Sequence, residues 1–585
     1  MCGIWALLGH GHSAVAPLNE LERYVSRLGG RGPEGLRLKH YKYTNDDYDQ
    51  TEHILGFTRL AINGLNEAGM QPFEWTAPDG SHYAWICNGE IYNWASLAAE
   101  YGLQEAVAAG GGSDCFILGP LYHRLKADPV AFARALDGVF AFVILDLTAK
   151  QYVIARDPYG VRPLFVAQDF IYRGGYFNMV ASEMKALRGL SENIRPFMPG
   201  TIRVTHTDAG HRSGTEYKYH TVPYEKIAAF SNLEMAEMVV ARGLRAAVRK
   251  RLMTERPVAA LLSGGVDSSL IAALVADELR VAGVERPLET FSIGFAGSED
   301  LRHARLVAEW IGSQHHEIIM TADEFFAAIP EVVRAIESFD VTTVRASVGN
   351  YLVSKAVKEQ SDCKVVFNGD GSDEIFGSYL YFYKAPSDAE FERESERLLE
   401  DIHYFDVLRS DRSISSNGLE PRTPFLDKAF VSVARGLPTR WRRPGCRHVG
   451  TAGGAGEEPI CEKWILRRAF EEEGLLPPAV LWRRKEAFSD GVSGPVKSWY
   501  EEIQERVGAL VPADWAVQAR AYKHLPPASA EAFYYRRLFE QYYGNGVDVA
   551  KAAVPYKWMP RWVEGAVDPS ARTLAVYKEG GGGKV

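Results

Sequence analysis

Short apolar runs alternate with longer amphipathic stretches in the second half of the chain. Residues 258–262 form an apolar run of strand length, and residues 270–275 form a run typical of a buried helix. Gly264 and Gly265 stand between them and allow a sharp turn. The pattern therefore predicts a strand, a glycine turn and the beginning of a helix. Further strands of an α/β sheet are predicted at 288–295, 314–319 and 365–367.

The first 205 residues show a different pattern of apolar and polar positions, with many runs typical of strands and few long runs typical of helices. Strands are predicted at 55–62, 85–87, 140–146, 152–157 and 201–205. The polar stretch 206–225 is predicted to be a linker, and a helix is predicted to begin at Ser231 with Glu234 completing a capping box. We therefore predict a first domain at 2–205, a second at 226–560, and a tail at 561–585 whose glycine-rich end is disordered.

Composition narrows the class of protein. A chain of 585 residues is too long for one hydrophobic core. A formal net charge of −9 disfavours a nucleic-acid-binding surface. The sequence contains no run of 18 or more apolar residues, so no membrane span is predicted. The N-terminus lacks the features of a secretory signal, and six scattered cysteines fit reduced thiols. We expect a cytosolic protein with small-molecule partners; its oligomeric state stays open, with a homodimer as one option.

The turn after the first strand of the second domain has the chemistry of a phosphate site. Residues 263–269 read Ser-Gly-Gly-Val-Asp-Ser-Ser, and backbone N–H groups at the beginning of a helix attract anions. No Gly-Lys-Ser/Thr follows, so the turn is not a Walker A loop. A second strand, 365–367, ends in a similar glycine turn that carries Asp370 and Asp373. Asp267 and Asp373 together could hold Mg²⁺ against phosphate oxygens.

Cys2 is the candidate nucleophile of the first domain. Removal of Met1 would give Cys2 a free α-amine, with a reference pKa near ~8, that can act as the base for its own thiol. A free amino acid substrate needs an arginine for its carboxylate and an acid for its ammonium group, for which Arg59 and Asp114 are candidates. Asn88 and the Gly89 backbone could bind the oxyanion.

Four segments of the first domain resemble the class II glutaminases, whose nucleophile is the N-terminal residue. They are residues 1–4 (Met-Cys-Gly-Ile), 59–62 (Arg-Leu-Ala-Ile), 88–93 (Asn-Gly-Glu-Ile-Tyr-Asn) and 112–114 (Gly-Ser-Asp). The resemblance implies an Ntn-hydrolase-type αββα sandwich with Cys2 as nucleophile and with Asn88 and Gly89 as oxyanion hole. It implies a glutamine site formed by Arg59, Leu60, Ala61, Ile62, Asn63, Asn88, Gly89, Glu90 and Asp114. The family usually has the motif His-Arg-Gly-Pro-Asp. At the corresponding position, residues 30–34, this chain reads Gly-Arg-Gly-Pro-Glu, so Gly30 and Glu34 depart from the motif.

The second domain resembles the ATP pyrophosphatases, and more closely the glutamine-hydrolysing asparagine synthetase family. The motifs at 379–386, 422–427, 485–491 and 568–573 occur in that family's order. The resemblance implies a parallel α/β, adenine nucleotide α-hydrolase-like domain with a helical extension. It implies that the nucleotide site contains Leu262, Ser263, Gly264, Gly265, Asp267, Ser268, Ser269, Ile293, Asn368, Gly369, Lys384 and Lys485. Catalytic roles are implied for Asp370, Arg345 and Lys485, although close relatives carry Glu where this chain has Asp370.

The implied reaction is ATP-dependent synthesis of asparagine from aspartate, through a β-aspartyl-AMP intermediate, with ammonia taken from glutamine. Two alternatives stay open. One is a related amidotransferase or a β-lactam-synthetase-like enzyme, although the latter type typically lacks the cysteine nucleophile. The other is a catalytically inactive scaffold, against which Cys2, Asp267, Asp373 and Lys485 together argue. An assay for asparagine, AMP and pyrophosphate separates the three.

Overall fold

The computed structural model describes residues 2–11, 13, 17–44, 50–207, 214–223, 225–449, 457–484, 491–493, 497–564 and 568. Within these ranges, no helix combines the length and the apolar character needed to cross a lipid bilayer. Two bodies of secondary structure follow one another along the chain, and each is built around its own sheets.

The first body contains twelve strands and five α-helices within the described residues. Its strands are β1 (Gly3–His10), β2 (Gly35–Thr44), β3 (Gln50–Arg59), β4 (Phe73–Thr76), β5 (His82–Ile91), β6 (Gly138–Asp146), β7 (Gln151–Arg156), β8 (Phe165–Tyr172), β9 (Gly175–Ala181), β10 (Ile194–Pro196), β11 (Thr201–His206) and β12 (Thr215–Lys218). Its helices are α1 (Leu18–Val25), α2 (Trp94–Tyr101), α3 (Gln104–Ala108), α4 (Leu118–Leu125) and α5 (Pro129–Ala135).

Two antiparallel six-stranded sheets form a sandwich in this body. Their strand orders are β10-β8-β9-β1-β3-β2 and β12-β11-β7-β6-β5-β4. Side chains alternate along each strand, so Ile4 and Ala6 face the second sheet while Trp5 and Leu7 pack toward α1. On the second sheet, Trp85 packs against the helices on its outer face. The predicted αββα order of layers is therefore confirmed.

The second body contains a parallel sheet with helices before, between and after its strands. Its strands are β13 (Val258–Leu261), β14 (Glu289–Gly294), β15 (Gln314–Ile319), β16 (Val365–Phe367) and β17 (Glu420–Arg422), with a separate pair β18 (Arg447–Val449) and β19 (Glu457–Pro459). Its helices are α6 (Leu233–Lys250), α7 (Val266–Val281), α8 (Glu299–Ile311), α9 (Ala322–Ile336), α10 (Val341–Gln360), α11 (Ser372–Phe376), α12 (Asp388–Asp401), α13 (Asp406–Ser415), α14 (Lys428–Gly436), α15 (Trp464–Glu471), α16 (Pro478–Leu481), α17 (Trp499–Leu510), α18 (Trp515–Gln518), α19 (Ala530–Tyr543) and α20 (Val547–Ala553).

The strand order of the parallel sheet fixes where a ligand can bind. The order is β15-β14-β13-β16-β17, so the chain moves outward from β13 in one direction and then returns to its other side. Helices cover both faces, which explains why the central strands β13 and β16 are apolar throughout. In such sheets a crevice forms at the carboxyl ends of the two strands where the order reverses, here β13 and β16. The predicted parallel α/β class is confirmed.

Buried ion pairs join the two bodies. Arg31 of the first body lies with Nη1 2.9 Å from Glu183 Oε1 and 2.7 Å from Asp411 Oδ2, on α13. Arg422 on β17 lies 3.6 Å from Glu90 Oε2 on β5. All five side chains are almost fully buried, so loss of either partner would leave an uncompensated charge. The interface is therefore built from charge pairs whose members lie far apart in the sequence.

Two local predictions differ from the structure. The predicted strand 55–62 ends at Arg59, because the next residues leave the sheet as a loop. The predicted capping box at Ser231 is wrong: helix α6 begins at Leu233, and the side chain of Asn232 accepts a hydrogen bond from the N–H of Met235. Asparagine is an equally good N-cap residue, and it stands one position later. The predicted domain boundaries stay a prediction.

Candidate active sites

Cys2 lies directly before β1, a central strand of the first sheet. Its thiol donates a hydrogen bond to the carbonyl of Leu60, with the sulfur 3.5 Å from the oxygen. The Cys2 carbonyl accepts a bond of 3.1 Å from Arg31 Nε. Burial raises the pKa of the Cys2 thiol to about 11, so the thiol is protonated at neutral pH. A nucleophilic role therefore requires a base that removes the proton as the bond forms.

Asn88 and Gly89 on β5 supply groups suited to an oxyanion. Neither the amide nitrogen nor the amide oxygen of the buried Asn88 side chain has a hydrogen-bond partner among the residues described. A buried amide without partners is costly, so it indicates a group reserved for a ligand. Gly89 has φ +154°, and an added Cβ would lie 2.0 Å from the carbonyl oxygen of Val139. This position of the strand therefore accepts glycine alone.

The acidic residues predicted to bind glutamine lie together beside Asn63. The Asn63 side chain donates to Glu90 Oε2 at 2.7 Å, and the N–H of Ile91 donates to Asp114 Oδ2 at 2.6 Å. Burial, with the nearby carboxylate of Asp114, raises the pKa of Glu90 well above its usual range. Burial also raises the pKa of Asp114 to about 6. Two desolvated carboxyl groups favour a cationic ligand such as an α-ammonium group.

The loop 60–64 that links these residues is held from both bodies. Arg59 donates to the carbonyls of Asn66, at 2.9 Å, and Gly64, which leaves other guanidinium donors for a carboxylate. Glu34 Oε2 accepts from the N–H of Ala61 at 2.8 Å. The longer acid at position 34 therefore contacts the predicted glutamine loop directly.

Residues 255 and 256 of the second body, just before β13, form hydrogen bonds with the same loop, residues 60–64. Arg256 donates through Nε to the carbonyl of Ala61 at 2.9 Å and through Nη2 to Glu34 at 3.1 Å. The N–H of Glu255 donates to the Ile62 carbonyl at 3.0 Å, and its carboxylate accepts from the N–H of Gly64. We call residues 34, 255 and 256 the loop clamp.

A cavity of about 270 Å³ lies at the carboxyl ends of β13 and β16, where the strand order reverses. The predicted nucleotide residues that line it are Leu262, Ser263, Gly265, Asp267, Ser268, Ile293, Asn368 and Gly369. An added Cβ on Gly369 would lie 2.7 Å from the N–H nitrogen of Ser268, so the two glycine turns touch. Gly264 has φ +72°, and a Cβ there would meet His303 at 2.6 Å. Close packing of turn, turn and helix therefore requires these two glycines.

Acidic side chains line the part of this cavity next to the two turns. Asp267 Oδ1 is buried and has no hydrogen-bond partner within the described ranges. Asp373 also lines the cavity, so two carboxylates of the right chemistry for Mg²⁺ face the same space. Asp370 lies 3.1 Å from Arg409 Nη2, and burial raises the pKa of its carboxyl group despite that arginine.

Some predicted nucleotide residues lie elsewhere. Lys384 is exposed and does not line the cavity, because the 3-10 turn at 380–384 directs Leu380 and Tyr381 inward instead. Ser269 is fully buried beneath the turn. Lys485 lies outside the described residues.

Arg345 lines the cavity, but its guanidinium group is already paired. Nε and Nη2 bind Glu531, with 2.7 Å between Nε and Oε1, and Nη1 and Nη2 bind Asp568 at 2.9 and 2.8 Å. A fork shared by two carboxylates has little capacity left for a phosphate. The structure therefore makes Arg345 a support of the cavity wall, and its predicted catalytic role is not supported by this geometry.

Comparison with known proteins gives the same two-part division. A glutamine amidotransferase domain model matches residues 1–204, and an asparagine synthase model matches residues 239–392 and 384–564. The chain is 39% identical to "Asparagine synthetase [glutamine-hydrolyzing]" of Gallus gallus over 603 residues, which cover 99% of both proteins. The chain belongs to the asparagine synthetase family. The Homo sapiens relative of the same name is also 39% identical, over 604 residues and 99% of each chain. The predicted family resemblance is therefore confirmed.

Several cavity residues of this family member escaped prediction from the sequence. Among them are Lys463, Arg409 and Arg483, of which Arg483 donates to the carbonyl of Gly264 at 3.1 Å. Each comes from a segment without a recognisable motif. Glu255 and Arg256 were missed for the same reason, although their position directly before β13 was a usable signal.

Proposed function

We propose that the chain synthesises L-asparagine from L-aspartate, ATP and L-glutamine, with L-glutamate, AMP and pyrophosphate as the other products. The first body would release ammonia from glutamine at Cys2. The second body would activate the β-carboxylate of aspartate in the cavity at the carboxyl ends of β13 and β16. The family membership and the two separate sites in one chain support this assignment.

In the glutaminase step the Cys2 sulfur attacks the side-chain amide carbon of glutamine. Because burial raises the pKa of the thiol, the α-amine exposed by removal of Met1 would take the proton during attack. Asn88 Nδ2 and the Gly89 N–H would stabilise the oxyanion, and the amine would then protonate the departing ammonia. Water hydrolyses the resulting glutamyl thioester to glutamate. The unpartnered amide of Asn88 supports this role.

In the synthetase step the aspartate β-carboxylate attacks the α-phosphorus of ATP and pyrophosphate leaves. Ammonia then attacks the acyl carbon of β-aspartyl-AMP, and AMP leaves. The turn at 263–268 would bind phosphate oxygens through its N–H groups and the positive end of α7. Asp267 and Asp373 would hold Mg²⁺, which when bound neutralises phosphate charge. Lys485 would bind phosphate as well.

The proposal is carried by a half-buried cysteine directly before the first strand and an unpartnered amide on β5, in a chain that also has the cavity at the carboxyl ends of β13 and β16. The test is a product assay with glutamine and with ammonium chloride, on wild type and Cys2→Ala. We expect Cys2→Ala to lose glutamine-dependent synthesis and to retain ammonium-dependent synthesis. Loss of both activities in a folded variant, or ATP cleavage without asparagine, would contradict the two-site scheme.

A further inference from the structure

Lys463 lies between the two carboxylates proposed to hold the metal ion. Its Nζ lies 2.6 Å from Asp373 Oδ1 and also pairs with Asp267 Oδ2. The lysine side chain is fully buried, with 0% of its surface exposed. One ammonium group thus joins the turn after β13 to the turn after β16. Because it lines the cavity, it also faces the space predicted for phosphate.

The backbone at Lys463 indicates that its placement has a use. The residue has φ 59° and ψ 23°, in the left-handed region that side chains with a Cβ rarely adopt. It stands at the N-cap of α15 without a side-chain hydrogen bond to the helix. Glycine or asparagine would fit such a turn with less strain. Strained residues of this kind concentrate at functional sites, where the surrounding structure fixes them.

The charges of this arrangement restrict how a divalent cation can enter. Asp267 offers Oδ1, which has no hydrogen-bond partner in the described part of the chain, while Oδ2 pairs with Lys463. A cation bound to the same two carboxylates would be close to the buried ammonium group and repelled by it. The ammonium group would also lose its own anionic partners. A triphosphate removes both penalties, because its oxygens can bind the cation and Lys463 together.

We propose that Lys463 makes divalent-cation binding at Asp267 and Asp373 dependent on nucleotide. The lysine competes with the cation for the carboxylate oxygens until ATP phosphate gives the ammonium group a new partner. Lys463 therefore contacts phosphate when nucleotide is bound and competes with the cation for the two carboxylates when it is not. This inference rests on the proposed function, since it takes ATP and Mg²⁺ as the ligands of the cavity.

The test measures Mn²⁺ binding to the full-length chain by electron paramagnetic resonance, without turnover. Wild type is titrated with Mn²⁺ alone and with Mn²⁺ plus α,β-methylene-ATP, which cannot be cleaved at the bond in question. We expect binding at one site per chain to tighten at least about tenfold when the nucleotide is present. Lys463→Met should bind Mn²⁺ alone about tenfold more tightly than wild type, because the competing charge is gone. Lys463→Arg should stay close to wild type.

Lys250 provides a matched control. Its Nζ lies 2.7 Å from carboxylate oxygens of both Asp137 and Asp427, away from the cavity. Lys250→Met should leave Mn²⁺ binding unchanged. Equal Mn²⁺ affinity of wild type with and without nucleotide would overturn the proposal, even if Lys463→Met fails to fold. So would a folded Lys463→Met that binds Mn²⁺ no more tightly than wild type. Failure of the proposed function would appear separately, as absence of asparagine in the product assay.

Discussion

The loop clamp gives the sharpest prediction about how the two bodies cooperate. Arg256 binds the carbonyl of Ala61 and the carboxylate of Glu34, and both contacts hold the loop proposed to bind glutamine. Arg256→Ala removes them without touching Cys2 or the cavity. We expect weaker glutamine binding, because the substrate would then have to order the loop itself.

The magnitude follows from the exposure of the pair. The side chains of Arg256 and Glu34 are 30% and 29% exposed, so their ion pair contributes only about 0.5 kcal/mol. The hydrogen bond from a charged donor to the Ala61 carbonyl adds about 1 kcal/mol after allowance for solvent. A total of about 1–2 kcal/mol corresponds to a KM for glutamine raised about 5- to 30-fold.

The assay compares steady-state asparagine formation with glutamine and with ammonium as nitrogen source. Arg256→Ala should raise KM for glutamine and leave ammonium-dependent kcat within about twofold of wild type. Arg280→Ala, which removes another partly exposed ion pair, should change neither value. If Arg256→Ala left the glutamine KM unaltered, or lowered the two activities equally, the clamp would not support the glutamine loop in the way proposed.

Two further predictions concern stability. Asp411→Asn removes a buried partner of Arg31 and should lower the melting temperature in calorimetry by about 6–12 °C; a shift below about 2 °C would refute the importance of that pair. Burial lowers the pKa of His53 to about 3, whereas the unfolded chain binds the proton near pH 6.5. The contribution of the neutral His53 to the free energy of unfolding is therefore fully present above about pH 6.5 and is lost as pH falls toward 3. His53→Gln should therefore reduce the difference in melting temperature between pH 7 and pH 5, and an unchanged difference would contradict this assignment.

Local patterns predicted those parts of the molecule that depend on neighbours in sequence. The strand, glycine turn and helix around Asp267 are encoded within a dozen residues, and the structure contains them. The strands predicted at 140–146 and 152–157 are likewise present, as β6 and β7. Family motifs also pointed to Asn88, whose side-chain amide has no hydrogen-bond partner among the described residues, and to Asp373, which lines the cavity, because each motif is itself a short segment.

Contacts between distant segments could not be predicted in the same way. Lys463 reaches Asp267 across 196 positions of the chain, and no pattern around it indicates a buried ammonium group. The family resemblance implied a catalytic role for Arg345, yet Glu531 from a remote helix pairs with its guanidinium group. Lys384 was expected in the nucleotide site, but it is exposed and does not line the cavity. A single 3-10 turn decides whether this side chain faces the cavity or solvent.

The central claim is that nitrogen liberated at Cys2 is incorporated at a separate, ATP-consuming site of the same chain. The most direct measurement supplies glutamine labelled with ¹⁵N in its side-chain amide, together with aspartate, ATP, Mg²⁺ and a low concentration of unlabelled ammonium. The account predicts asparagine whose amide carries ¹⁵N, formed in equal amount to AMP and pyrophosphate. Label recovered only as ammonium, or AMP formed without labelled asparagine, would contradict it.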